Sequence, residues 1–279
     1  MLIGAAAALA TAADRARLAL AEPGALANRL RAPIAAFGFD RRRHCVLCGR
    51  RVARFLPWRG GSRALPPLMR ALAIVGSDVD AFECPRCGAH DRERHLMLYL
   101  KADGLFEAFA GSRILHMAPE PRLSAKIAAA GPGLYVKADL FPVKGAAARL
   151  DLLRLPFADE SFDFVIANHV LEHVADDRRA LGEVRRVLAR GGKAILQTPF
   201  AAGLARTWED EAVAGAAARR QAFGQEDHVR LYGRDIFERF AGAGLQPRVR
   251  AHADLLGDLD AEEAGVNPDE PLFLFEREV

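Results

Sequence analysis

No stretch of this 279-residue chain is apolar for long enough to cross a bilayer, although 51% of its residues are hydrophobic. Cysteine is scarce, with four in all, which excludes a disulfide-dense secreted scaffold. Residues 1–70 lack lysine and hold only three acids, Asp14, Glu22 and Asp40, against 13 arginines, a local charge of about +10. The whole chain carries only +3, so the remainder is near −7. A basic first third beside an acidic main body points to an anionic partner such as RNA, or to nothing more than an arginine-rich solvated face. The apolar start, Met1–Thr11, lacks a positive leading segment and soon meets Asp14 and Arg15. It reads as an Ala-rich helix rather than an export signal, so the expected location is the cytoplasm, with reduced thiols.

Apolar length and composition suit one large domain plus a small one. The expected division is a helical extension over 1–40, a small cysteine-bearing unit over 41–95 and the main domain over 101–279. The extension should be helical to about Arg31, broken at Pro23-Gly24.

All four cysteines fall into two pairs, Cys45-Val-Leu-Cys48 and Cys84-Pro-Arg-Cys87, each followed by glycine. Two such knuckles converge four thiolates on one tetrahedral metal, so the segment is expected to be a zinc ribbon with a closed, structural Zn2+ site. His44 and His90 flank the knuckles, where they hydrogen-bond nearby or face solvent, or else one replaces a ligand. Arg50, Arg51, Arg54, Arg59, Arg63 and Arg70 lie between them with Phe55 and Trp58 interleaved. That mixture suits RNA, and equally the needs of a small domain's own core. Residues 91–111 should be a helix leading into the main domain, with His95 on its surface or packed.

The main domain is organised around Arg149–Pro199. Phe162–Asn168 is an apolar run expected of a strand covered on both faces. Asp176 and Asp177 offer a cap, and Ala180, Leu181, Val184, Val187 and Leu188 recur at helical spacing. Gly191-Gly192 should end that helix, and Lys193–Pro199 is a second strand. This is a βαβ unit with a right-handed crossover. Arg113–Ala118 and Leu134–Leu140 read as earlier strands, Leu150–Leu152 as a short third, Leu231–Gly244 as a late helix, and Gln246–Ala253 and Pro271–Glu278 as the last strands. Open parallel sheets bind ligands at their carboxyl ends, where Ala118, Asp139, Asp151 and Asn168 fall.

The run LPFADESFDFVIANHVLEHV, followed by EVRRVLARGGKAILQTPF, resembles the later motifs of class I S-adenosylmethionine-dependent methyltransferases of type 11-like sequence. The resemblance implies an α/β fold, a Rossmann-like seven-stranded methyltransferase sheet whose last two strands pair antiparallel. It implies S-adenosylmethionine as cofactor, with Asp139 on the ribose hydroxyls, Asp151 on the adenine amino group, Leu152 beside the ring and Asn168 near the transferable methyl. The family places a glycine-rich loop after its first strand, where this chain has Ala118-Pro119-Glu120-Pro121, and His116 stands where the family usually has an acid. Glu120 either pairs with the cofactor's ammonium or caps the next helix. The sequence LHMAPE is similar to a variant in some methyltransferases with an N-terminal zinc site.

Methyl transfer needs alignment above all, with a base only for the acceptor's proton. His169, His173 and His228 are the candidates. Ala201–Gly233, carrying Glu209, Asp210, Asp227, His228 and Arg230, reads as a substrate lid in which Asp227 orients His228, or as a salt-bridged loop. The expected activity is methyl transfer to an O, N or C nucleophile of a small molecule. RNA guided by the ribbon, and a non-catalytic cofactor-binding protein, are the alternatives.

Overall fold

The computed structural model describes residues 25–143, 145 and 147–279. The helix predicted for the first thirty residues lies largely outside them. The described chain opens on helix α1, Ala25–Phe37, which runs past Arg31 with Pro33 inside it, and the predicted break at Pro23-Gly24 lies outside the described residues. Strands β1, Arg43–Cys45, and β2, Arg50–Val52, form an antiparallel hairpin. Helix α2, Pro67–Ala71, and strand β3, Ile74–Val75, follow. Helix α3, Asp91–Ala102, is shorter than the predicted 91–111, whose remainder holds a single 3-10 turn.

Next come β4, Arg113–Met117; α4, Pro121–Ala129; β5, Leu134–Asp139; and β6, Ala148–Arg149. The third strand of the sheet therefore precedes Leu150–Leu152, because the Asp151 carboxylate accepts the Leu153 N–H at 2.9 Å and turns the chain there. Strand β7, Phe162–Ala167, and α5, Asp177–Val187, form as the pattern predicts. Asp176 caps α5 by accepting the Arg179 N–H at 3.0 Å. The helix ends at Val187 rather than at the glycines. Strand β8, Leu188–Ile195, begins at once, with its register against β7 shifted between Phe162 and Phe164. Leu188 is fully buried, and its extended conformation carries it into the core.

Strand β9, Phe200–Ala201, pairs with β3. Helix α6 is Ala216–Phe223, and α7 is only Ile236–Ala241. The predicted start of α7 at Leu231 is corrected: Leu231 and Tyr232 bridge to Trp208 and Phe200 instead. Strand β10 is Gln246–Pro247, and the remainder of that predicted strand includes helix α8, His252–Leu256. Helix α9, Ala261–Ala264, and β11, Leu274–Glu276, complete the chain.

The main sheet has seven strands in the order β10-β11-β8-β7-β4-β5-β6, with β11 antiparallel to both neighbours and the others parallel. Alternation along β7 sends Val165 and Ala167 to the face covered by α5 and α7, and Phe164 and Ile166 to the face covered by α3 and α4. Each face of the strand meets apolar neighbours, which is why the run is continuously hydrophobic. The second face is shared: Cys45, Leu47, Val52, Phe55, Cys84 and Ala89 pack in one cluster with Leu96, Ile114, Ile195 and Leu272.

Arg94 bolts that shared core. It is fully buried, and its guanidinium donates to five carbonyls, those of Ala81, Phe82, Ala89, Ala264 and Gly265, with its carbon 3.8 Å over the Phe55 ring. All five donors are therefore used. Arg94→Met should lower unfolding stability by roughly 3–5 kcal/mol in a urea titration, because it removes five hydrogen bonds at once and leaves the buried Ala264 and Gly265 carbonyls without their donor. A change under about 1 kcal/mol would show the network to be dispensable.

Candidate functional site

The sheet's topology fixes where a ligand crevice can open. The chain leaves β4 toward β5 and β6 on one side, then returns to lay β7 and β8 on the other. The loops after β4 and β7 therefore diverge from a common line at their carboxyl ends, the point at which open α/β sheets hold ligands. One side-chain bond crosses this line. Asn168, just past β7, donates its amide to the Glu120 carboxylate at 2.7 Å. Glu120 occupies the N-cap position of α4, yet its side chain makes no capping bond. Its other neighbours are His116 at 3.5 Å and Arg92 at 3.7 Å. Burial raises its pKa, but His116 and Arg92 outweigh this and hold the carboxyl below the ordinary value.

His116 is fully buried, with Nδ1 2.9 Å from the Tyr135 hydroxyl. It lies behind Glu120 and can bear on a ligand only through that carboxylate. Ala118 has φ +46, the left-handed region that glycine enters freely. The loop therefore bends as a glycine-bearing loop would, with a methyl group in the strained position. Asp139 ends β5, half-buried, its Oδ1 accepting the Phe141 N–H at 2.7 Å. Asp151 is exposed at the turn after β6, and Leu152 is buried beside it.

A cleft of about 800 Å³ opens next to this rim, between the cysteine-bearing segment and the loops after β7. Trp58 and Phe82 line it together with Met69, Phe223 and Leu231, which pack in one cluster, and His169, Glu172, His228 and Arg92 lie along its lining. Of the sequence-predicted residues, His169 and His228 line the cleft. Asp139, Asp151, Leu152 and Glu120 do not; they belong to the neighbouring strand ends. Phe55, one of the two interleaved aromatics, is core, whereas Trp58 faces the cleft. Arg59 stacks over Trp58 at 4.7 Å and pairs with Glu226 at 2.7 Å, which ties the cysteine-bearing segment to the loop that precedes His228.

The histidines sit among carboxylates. His169, at φ +54, has Nδ1 3.4 Å from Glu172 and Nε2 3.7 Å from Glu270. Burial depresses its pKa, but the two carboxylates outweigh it and carry the value up to about 9. His228 is pushed down to about 4, chiefly by burial and then by His173. Asp227 does not orient His228. It pairs with His173 at 3.3 Å, while the His228 Nδ1 is 2.9 Å from the Phe223 carbonyl. Glu270 also reaches His95 at 3.0 Å, and His95 reaches His252 at 2.9 Å, so His95 is a fully buried link rather than a surface residue. Arg92 and Glu270 escaped the sequence reading, since single charged residues outside any motif carry no pattern.

The segment 201–233 is held down by charge. Arg230 pairs with Glu209 at 3.0 Å, and Asp177 accepts Arg239 and Tyr232, each at 2.7 Å. Glu209 and Arg230 are thus structural, as the salt-bridged alternative has it, and Asp210 accepts the Ala212 N–H at an exposed turn. Burial raises the Asp177 pKa, but Arg239, Arg230 and Tyr232 together pull it below the ordinary value. A group so depressed adds stability above its unfolded pKa near 3.9 and loses it as pH falls through the folded value. Urea midpoints should therefore drop below about pH 4, and Asp177→Asn should flatten that decline while lowering stability at pH 7. An unchanged acid limb in the variant would remove Asp177 as its source.

The four cysteines are free of disulfides, and their sulfurs lie within 4.8 Å of one another. Gly49 and Gly88, at φ +67 and +73, each donate their N–H at 2.8 Å to the first cysteine carbonyl of their knuckle. A glycine after each second cysteine is required because the turn needs positive φ. The Cys45 and Cys87 sulfurs are 3.8 Å apart, about the edge of a tetrahedron with metal–sulfur bonds of about 2.3 Å.

Residues 105–196 match a family described as a methyltransferase domain. An uncharacterized methyltransferase of Mycobacterium leprae is 37% identical over 89 residues, 32% of this chain and 30% of that one. One from Mycobacterium avium is 32% identical over 146 residues, 50% and 53% of the respective chains. A demethylmenaquinone methyltransferase of a Mycobacterium species is 28% identical over 177 residues, 57% of this chain and 77% of that one. The chain spans about a third of the first relative's length and about half of the second's. Together with the seven-stranded sheet, the matched segment gives the Rossmann-like methyltransferase fold. Among the described residues, no helix is long and apolar enough to cross a membrane.

Proposed function

We propose that the protein is an S-adenosylmethionine-dependent methyltransferase acting on a small molecule held in the cleft. The observation that carries this reading is the Asn168–Glu120 bond across the divergence of β4 and β7, with Asp139 at the end of the adjacent strand. In this reading Asp139 takes the ribose hydroxyls, Asp151 and Leu152 the adenine, and Asn168 and Glu120 the methionine end. Glu120 stays ionised beside Arg92 and so can face the cofactor's ammonium. Ala118 supplies the loop shape, and His116 positions Glu120.

The cofactor supplies an activated methyl on sulfur. The protein's part is alignment and exclusion of water, which the apolar walls of the cleft provide. Of His169, His173 and His228, the candidates to accept a proton from an O, N or C nucleophile, His228 is unprotonated at neutral pH, whereas His169, carried up to about 9, holds its proton there.

The two knuckles hold structural Zn2+ in the proposed zinc ribbon, 41–95. Four thiolate donors and a tetrahedral edge fit that ion, and a closed set of four leaves it no catalytic position. Reduced thiols call for a reducing compartment, the cytoplasm. The ribbon's role here is to wall the acceptor cleft. Three of its arginines already face acids: Arg43 faces Glu262, Arg51 faces Glu263 and Arg59 faces Glu226. This favours a small acceptor over RNA.

Labelled S-adenosylmethionine incubated with the protein and either a metabolite pool or total RNA tests the choice. Label entering small molecules supports the reading. Label in RNA would replace the acceptor class, and cofactor binding without transfer to any pool would favour the non-catalytic alternative.

A further inference from the structure

We propose that Glu172, His173 and His228 form a second metal site, a two-histidine, one-carboxylate set for a divalent transition metal with its open side toward the cleft. Their ligand atoms lie within 4.8 Å of one another. The argument rests on where the protons must be. The His228 Nδ1 is 2.9 Å from the Phe223 carbonyl, which can only accept, so Nδ1 carries the hydrogen and Nε2 presents a bare lone pair. That Nε2 has no hydrogen-bond partner among the described residues, and the residue is only 5% exposed. The His173 Nδ1 faces the Asp227 carboxylate at 3.3 Å and so carries a hydrogen, which directs its Nε2 toward Glu172 at 4.0 Å, where a metal would take the place of any second proton. Glu172 gives Oε1 to His169 at 3.4 Å, and its Oε2 is buried without a partner.

Two buried acceptors, the His228 Nε2 and the Glu172 Oε2, therefore converge beside the His173 Nε2 with no hydrogen-bond partner among the described residues. Buried polar atoms are rarely left in that state, and lone pairs facing one another repel unless a cation lies between. Each prospective ligand is also held from behind, by Phe223, Asp227 or His169. This is the outer-shell support that metal-bound histidines and carboxylates show. Bonds of about 2.1 Å place ligand atoms roughly 3–3.5 Å apart, so the set must contract by about 1 Å. His173, with 31% of its side chain exposed, has the room to rotate.

Imidazole with carboxylate suits zinc, iron, cobalt or nickel better than magnesium or calcium. Three protein ligands leave positions open, and Glu172 and His228 line the cleft. The site itself stands apart from the methyltransferase reading; only its use rests on it. That use is to hold an oxygen or nitrogen donor of the acceptor and make it more acidic. His173 and His228 would then be ligands and not bases.

The test is titration of Co2+ alone into full-length protein carrying one zinc per chain, followed by visible absorption and metal analysis. The expected result is one further cobalt per chain, with d–d bands and no new sulfur charge-transfer band. The double variant His173→Ala/His228→Ala should lose it while retaining its zinc. Asp227→Asn, which touches no metal, should weaken it about 10–100-fold. No additional cobalt in the wild type, or equal binding in wild type and Asp227→Asn, would overturn the proposal. Because the readout is cobalt, failure here leaves the cofactor reading intact.

Discussion

Cys84→Ser is expected to strip the zinc and melt the ribbon into the shared core. Cys84 is fully buried and packs with Phe55, Leu96 and Leu100, so its knuckle is part of the face that covers β4 and β7. Structural zinc contributes on the order of 10–16 kcal/mol in isolated finger peptides. Domain stabilities are only about 5–15 kcal/mol, so losing that contribution exceeds what the remaining contacts can offset. The expected outcome is protein without zinc that lacks a cooperative thermal transition. Serine cannot restore the site, because its hydroxyl is a poor substitute for a thiolate. A Cys84→Ser protein with the wild-type zinc content and melting temperature would show that the four sulfurs hold no metal.

Asp139→Ala should weaken S-adenosylmethionine binding by about 100-fold or more while leaving the melting temperature nearly unchanged. A carboxylate at the end of β5 accepting two ribose hydroxyls makes two charge-assisted bonds of about 1.5–3 kcal/mol each. Their combined loss corresponds to roughly 100-fold to 10,000-fold in affinity. Among the described residues the carboxylate accepts the turn N–H of Phe141 and no other, so stability has little at stake. Equilibrium binding of the labelled cofactor to both proteins reads the effect. Equal affinities would remove Asp139 from the cofactor site.

Strands β4, β5 and β7 and helix α5 were legible because each is covered on a defined face, and burial imposes a period on the residues. Asp176 announced its cap, and the cysteine spacing announced both knuckles together with the glycines that close them. What escaped was non-local. Nothing in Trp58 or Phe82 signals that the cysteine-bearing segment walls a cleft; that follows from the packing of Cys84 and Phe55 on α3 and from the Arg59–Glu226 pair. Asp227 precedes His228 in the chain yet serves His173, because neighbours along an irregular segment point apart. The edge strand β6 was misplaced and β10, read from Gln246, was drawn too long, since two paired residues carry no period. Glu120 was readable as a choice between capping and ligand binding, and the structure shows its carboxylate turned to Asn168 rather than to the helix.

The most direct test of the central claim is a crystal structure of the protein with S-adenosylhomocysteine. The account predicts adenine beside Leu152, ribose on Asp139, the amino-acid end at Glu120 and Asn168, and sulfur facing the cleft that Trp58 and His228 line. Density for the nucleoside inside that cleft, away from Asp139, would contradict it.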